Sequence, residues 1–241
     1  MINKKSKLPI YQQIQNEIKK DIDNAKWSVH EAIPAERQLA ELFNVSRMTV
    51  RQAIQALVDD GVLYRRIGSG TYVSEEKVTE NMDAVTSFTN LMLKQGKTPS
   101  SHIVSFAMKP VTRQEAKALE LDEDDDVLRI ERIRYGDSTP ILFETAAIPM
   151  NIASQLTRDE LTNSLFQTVS DKFHLTIGDA QQTMEAVAVS EKIAPLLEVP
   201  LGTPVMRLRQ TTALSDGTLF EYVDSQYVGS RFKFSTRIHG G

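Results

Sequence analysis

The stretch Ala35–Val73, AERQLAELFNVSRMTVRQAIQALVDDGVLYRRIGSGTYV, decides how the chain is organised. With the helix that precedes it, it reads as two short helices, a tight turn, a third helix and a two-stranded wing. Its centre, Ser46-Arg47-Met48-Thr49-Val50-Arg51-Gln52, crowds hydroxyls, guanidiniums and an amide onto one helix start. That is the chemistry of a helix that reads DNA. The remainder of the chain then reads as a device that controls where this helix points.

The boundaries follow from side-chain chemistry. Ser46 is placed to cap the third helix, since its hydroxyl can accept from an orphan N–H of the first turn. Val50, Ala53, Ile54 and Leu57 keep helical spacing and form the buried face. Asp60-Gly61 ends the helix, Gly61 being a natural left-handed residue. Val62 to Arg66 is a strand, Gly68-Ser69-Gly70 a tight tip, and Thr71-Tyr72-Val73 the returning strand. Asn44-Val45 is the turn, and Leu39, Leu42 and Phe43 are the core face of the helix before it. Upstream, Pro9 opens a first helix striped by Ile10, Ile14, Ile18 and Ile22, with Tyr11 at its edge.

Burying one face of the third helix leaves Arg47, Met48, Arg51, Gln52 and Gln55 outside. A helix-turn-helix sets the start of its second helix in the major groove. Arg there can take guanine O6 and N7, and Gln can take adenine N6 and N7. Ser46, Thr49 and free helix-start N–H groups suit phosphate oxygens. Gly68 and Gly70 let the wing backbone come close to a groove or a phosphate. Arg47 or Arg51 alone would be an ordinary exposed charge; the combination points to DNA.

Composition agrees. The 241 residues are 41% hydrophobic and 25% charged, as in a soluble globular protein of one large or two ordinary domains. Residues 1–74 hold 11 Lys and Arg against 8 Asp and Glu; the other 167 hold 17 against 24. A basic front and an acidic back suggest that only the front meets a polyanion. There is no Cys, which excludes disulfides, Cys-based zinc sites and thiol nucleophiles, and fits a reducing cytoplasm. No signal peptide or long apolar run is read, so no membrane partner is expected. His30, His102, His174 and His239 have no ligand spacing, so no metal is expected, and without a Gly-rich phosphate loop no cofactor is expected either.

Residues 75–86 are polar and read as a linker between the 1–74 and 87–241 domains. Beyond it, Phe88 to Lys94 reads as a short helix, His102 to Lys109 as a strand, and Thr112 as the cap of a helix to about Leu121. Val127 to Tyr135 and Pro140 to Pro149 read as a strand pair, Leu161 to Phe173 as a helix, Ile177 to Val189 and Val205 to Leu214 as strands flanking a short helix at Glu191–Leu197. Ser215-Asp216-Gly217 turns into a last strand from Thr218 to Val228. Long antiparallel strands with helices on one side make an α+β domain. Arg132 and Arg134 share one strand face, with Glu144 on the partner strand and Glu221 and Tyr227 on the last hairpin. Two guanidiniums with nearby hydroxyls suit a phosphate, and carboxylates suit sugar hydroxyls. Spacing alone is better served by cross-strand pairing of Arg132 or Arg134 with Glu144 on a solvated face.

Two resemblances follow from these residues. Pro34-Ala35-Glu36-Arg37, Leu39-Ala40, Val45 to Ala53, Leu57, Gly61 and Arg66 to Val73 resemble the winged-helix domain of GntR-family bacterial transcription regulators over nearly all of residues 8–74. The resemblance implies that Arg37, Arg47 and Arg51 are the principal DNA contacts, helped by Thr49, Gly68, Ser69 and Gly70; Ser46 and Gln52 join them on the helix chemistry given above. Residues 79–238 resemble a UTRA effector domain of the HutC-type branch, chorismate-lyase-like in fold, on Thr86-Ser87-Phe88-Thr89, Arg132-x-Arg134, Glu144, Ser164, Glu221 and Tyr227-x-Gly229-x-Arg231-Phe232. That implies a phosphate held by Ser87, Phe88, Thr89, Arg132 and Arg134, and a sugar read by Glu144, Ser164, Glu221 and Tyr227, with Phe166 also at the effector site. Phe166 stands where the family pattern has Tyr, and Ala146 where a polar residue is commoner. The implied activity is that of a homodimeric repressor, not an enzyme, released from a palindromic operator by a phosphorylated amino sugar such as N-acetylglucosamine 6-phosphate or glucosamine 6-phosphate. Another small-molecule effector, or a chorismate-lyase-like enzyme, is the alternative.

Overall fold

In a computed structural model of the chain, two units meet in the sequence at Lys77 and Val78. The structure describes residues 2–3, 6–66, 68–174 and 176–238, except the side chains of 161–163 and 173. Ile67 and His239, both used in the sequence reading, lie outside the described residues.

In the first unit, Pro9 stands at the cap of α1 (Ile10–Asp23), where its missing N–H leaves no helix bond unmade. Ile14 and Ile18 are fully buried, with Ile10, Tyr11 and Ile22 packed beside them. Then come α2 (Glu36–Phe43) and α3 (Arg47–Asp59), joined by a turn in which Asn44 takes φ 51°. The core face of α3 is the expected one, Val50, Ala53, Ile54 and Leu57. That of α2 differs. Leu39 and Ala40 are buried and Phe43 packs against the core, but Leu42 is 63% exposed. On so short a helix only one edge can face inward, and 39, 40 and 43 define it.

The wing is the antiparallel pair β1 (Leu63–Arg66) and β2 (Gly70–Val73), in register Leu63 to Val73 and Arg66 to Gly70. The chain before α2 adds a third edge. The N–H of His30 donates to Val73 and that of Ile33 to Thr71, both at 2.9 Å. This ties the wing to Trp27 and Ile33 in the core.

The second unit begins earlier than the sequence suggested. Within the expected 75–86 linker, β3 (Val78–Asn81) pairs in parallel with the last strand of the chain. A partner more than 150 residues away leaves no local signal. The elements that follow are α4 (Phe88–Lys94), β4 (Pro99–Pro110), α5 (Arg113–Leu119), β5 (Asp126–Gly136), β6 (Thr139–Pro149), α6 (Met150–Ala153), α7 (Arg158–Asn163), α8 (Leu165–Phe173), β7 (Ile177–Ala188), β8 (Pro204–Leu214), β9 (Leu219–Val228) and β10 (Phe232–Ser235). Six strands form one antiparallel sheet in the order β4-β5-β6-β9-β8-β7, and β3 with β10 forms a separate ribbon.

Three local expectations change. The helix over Leu161 to Phe173 is two helices broken at Ser164, whose extended backbone (φ −143°, ψ 109°) caps α8. The stretch from Glu191 to Leu197 is a run of turns, since Pro195 has no N–H with which to continue a helix. And helices cover both faces of the sheet. Val127 and Ala147 pack with Leu119 of α5, whereas Leu128, Ile130 and Ile148 pack with Ile152 of α6 and Leu165 and Val169 of α8. Neighbours along a strand point to opposite sides. Further along the α8-covered face, Leu142, Leu208 and Tyr227 pack under α4 and the β3–β10 ribbon. The polar residues between these two apolar clusters enclose a cavity.

Candidate nucleic-acid interface and ligand cavity

At the start of α3, the Thr49 N–H donates to the Ser46 hydroxyl at 3.2 Å, and the two hydroxyls are 2.8 Å apart. Arg47, Met48, Arg51 and Gln52 are exposed on the same helix. Arg37, on α2, is exposed and only loosely paired with Glu41 at 3.7 Å. Arg51 is held more firmly: its Nε and Nη2 both lie 3.1 Å from Glu36 Oε2. Arg65 of the wing approaches the same carboxylate at 3.7 Å. Glu36 therefore aims two cations, one from the reading helix and one from the wing. Sequence reasoning did not single out Glu36 or Arg65, because the pairs span 15 and 29 residues.

At the wing tip, Gly68 has φ +74° and Gly70 φ +142°, a region that disfavours any Cβ. Tyr64 and Tyr72 stack with ring centres 5.5 Å apart, and the Arg66 guanidinium lies 5.0 Å from the Tyr72 ring. Ser69 hydrogen-bonds the Tyr72 hydroxyl. The residues expected to meet DNA are thus exposed, except Thr49, which is half-buried against the Ser46 cap, and the fold holds several of them in place.

In the second unit, strand register builds the cavity. Arg132 pairs with Glu144 across β5–β6, Glu144 with Ser225 across β6–β9, and Ser225 with Leu208 across β9–β8. Arg134, Val223 and Tyr227 lie two residues further along the same face, and Gln210 stands opposite Val223. Ser87, Phe88 and Leu91 close one side and Ser164, Leu165 and Phe166 another.

Nine of the ten residues expected at a ligand site line this cavity: Ser87, Phe88, Arg132, Arg134, Glu144, Ser164, Phe166, Glu221 and Tyr227. Thr89 joins through its hydroxyl, which accepts from Arg134 at 3.2 Å. Glu80, Thr86, Leu208, Gln210 and Ser225 also line it. Thr86 is contiguous with Ser87, Phe88 and Thr89. Leu208, Gln210 and Ser225 needed the register of the folded sheet, and Glu80 that of the β3–β10 ribbon. Phe166, lacking a hydroxyl, packs edge-on against Phe220 at 5.7 Å.

The electrostatics are unbalanced. Arg132 is 4% exposed, and its Nε donates to Glu144 at 2.5 Å. Arg134 is 3% exposed, sits 4.6 Å from the Phe88 ring, and its Nε has no partner. Burial, then repulsion from Arg132, pulls its pKa down to about 9. Burial pushes Glu144 up, but the attraction of Arg132 and Arg134 more than offsets this and leaves it below the usual carboxylate range. Burial and the neighbouring Glu144 push Glu221 up to about 8. Burial, Glu80 and Glu144 hold the Tyr227 hydroxyl well above the ordinary phenol range. An anion entering beside Arg134 would meet a desolvated guanidinium with a donor to spare.

Among the described residues no group of three or more His, Cys, Asp or Glu is arranged to hold a metal. No described helix is long and apolar enough to cross a membrane.

Comparison with known proteins matches both units. Residues 10–73 match the bacterial regulatory proteins of the gntR family, and residues 94–233 match the UTRA domain. The HTH-type transcriptional repressor NagR of Bacillus subtilis is 35% identical over 97% of this chain and 96% of its own length. The mannosyl-D-glycerate transport/metabolism system repressor MngR of Escherichia coli is 28% identical over 94% and 95%. Among solved structures, PhnF from Mycobacterium smegmatis superposes with a TM-score of 0.70 at 25% identity, covering 95% of this chain and all of that one. A winged helix-turn-helix with a reading helix of this composition, followed by an antiparallel-sheet unit enclosing a polar cavity, thus has full-length relatives, and the chain belongs to the GntR family of DNA-binding transcription regulators, in the branch that carries a UTRA domain.

Proposed function

We propose that this regulator is a cytoplasmic, homodimeric repressor that leaves a palindromic operator when a phosphorylated amino sugar fills the cavity of the second unit. N-acetylglucosamine 6-phosphate and glucosamine 6-phosphate are the first candidates. The observation that carries the reading is the buried pair Arg132 and Arg134 facing one carboxylate partner, Glu144, with a guanidinium N–H of Arg134 left over. A phosphate supplies both the missing charge and the missing acceptor. Glu144, Ser164, Ser225 and Gln210 give a sugar ring several hydroxyl partners on the adjoining wall. Two winged helices in a dimer suit two half-sites, so a palindrome is the expected operator form. The ligand releases DNA only through its preference for one of two dimer states. The relatives named above are regulators, and we read the cavity as a sensor that performs no turnover.

The test is operator affinity, by fluorescence anisotropy, with and without each candidate. Release by a sugar phosphate but not by the free sugar or inorganic phosphate supports the reading. Operator binding indifferent to all of them refutes it.

A further inference from the structure

Glu80 lies on the strand that the sequence disguised as linker. Val78 and Glu80 face inward from β3 while Asn81 is exposed. Val78 enters the apolar cluster with Leu142, Leu208 and Tyr227, and Glu80, next along the same edge, reaches the cavity. It is 9% exposed.

The cavity's three carboxylates are not alike. Glu144 is committed to Arg132, and Glu221 feels Arg132 and Arg134 as well as Glu144. Among the described residues no cation acts on Glu80, and burial alone holds its carboxyl up at about 7. A buried carboxylate without a cation is unfavourable, and it either holds a proton or meets a positive charge brought from outside. The arginines supply the anion-binding part of the cavity. Glu80 adds to the same cavity a carboxylate with no ion-pair partner among the described residues.

We propose that Glu80 is a specificity-determining ligand contact whose carboxylate takes a protonated amine, so that the preferred ligand is a sugar phosphate with a free amino group. The assignment rests on the reading of the cavity as a sugar phosphate site. In that arrangement the phosphate faces Arg132 and Arg134 and the ammonium faces Glu80. Acylating the amine removes the charge and with it the advantage.

The experiment is calorimetric titration of the full-length chain and of Glu80→Gln with glucosamine 6-phosphate, N-acetylglucosamine 6-phosphate and glucose 6-phosphate at pH 7. The wild type is expected to prefer the free amine over both others by about tenfold or more. Glu80→Gln is expected to lose about 30-fold in affinity for glucosamine 6-phosphate, the scale of a lost buried ion pair, and to change less than about threefold for glucose 6-phosphate. Glu80→Asp, which keeps the charge, is expected to retain part of the preference. Equal losses for all three ligands, or no loss for any, overturns the role of Glu80 while leaving the sugar phosphate reading intact. So does a wild type that prefers the acetylated ligand. A wild type that binds none of the three refutes the reading of the cavity and this assignment together.

Discussion

Arg134→Met tests whether the cavity is built for an anion, because it should act with opposite signs on the empty and the filled protein. Empty, Arg134 is a buried charge whose pKa burial, and then Arg132, pulls down to about 9. At about 1.4 kcal/mol per pH unit, that corresponds to an upper bound of roughly 4–5 kcal/mol of stress. The contact with Phe88 and the bond to Thr89 return part of it, about 1–3 kcal/mol together. Methionine fills similar space without charge, and replacing buried ions by apolar residues is often neutral or stabilising by about 1–4 kcal/mol. The second unit spans Val78–Gly241, a size at which 1 kcal/mol moves Tm by about 2–4 °C. Unliganded Arg134→Met should therefore melt no lower than wild type, and up to several degrees higher. With ligand the sign reverses. Removing one partner of a buried, hydrogen-bonded charge pair costs about 2–5 kcal/mol of binding. A ligand at 100 times its Kd stabilises by only about 2.7 kcal/mol, so most or all of its thermal shift should vanish. Differential scanning fluorimetry with and without glucosamine 6-phosphate reads both effects. A variant several degrees less stable when empty would make Arg134 a structural residue, and one that keeps the full ligand shift would remove the phosphate from its neighbourhood.

Three further outcomes are expected. Arg47→Ala should weaken operator binding by about 1–3 kcal/mol, roughly 5- to 150-fold in a gel shift, with or without effector; unchanged affinity would take Arg47 off the reading face. Glu221 has a folded pKa of about 8, above its unfolded value, so the stability linked to its neutral form is fully present below about pH 4.5 and is lost as pH rises toward 8. Urea titrations between pH 5 and 8 should show stability falling by up to about 1.4 kcal/mol per pH unit from this group, with a flatter profile in Glu221→Gln; parallel profiles would contradict the assignment. Phe220→Ala removes a fully buried ring that packs on Phe166, and should lower the stability of the second unit by about 3–5 kcal/mol in the same titrations.

The first unit was legible because its core is local. Isoleucines four apart and the Val50, Ala53, Ile54, Leu57 set each encode a helix face in a few consecutive residues, and Ser46 and Gly61 mark the ends of α3. Leu42 stays outside the core because periodicity names a hydrophobic position without saying which edge of a short helix meets the core. In the second unit Arg132, Arg134 and Glu144 could be grouped in advance, since one tight turn at Gly136-Asp137 fixes the register of β5 on β6. Ser225 and Gln210 could not, because β6 pairs with β9 across most of the domain. Glu80 was hidden more deeply: β3 is four residues long, polar in composition, and a strand only by virtue of β10.

That parallel ribbon has a mechanical consequence. The polypeptide leaving the first unit at Lys77 becomes β3 within one residue, and four residues later the ribbon ends. A pull on the backbone at Lys77 is therefore borne first by the ladder between β3 and β10. Two short strands are a weak fastening by themselves, and here the burial of Val78 and Phe232 reinforces them. Deleting the chain from Phe232 onward should loosen that anchorage, and the strand carrying Glu80 would become slack tether.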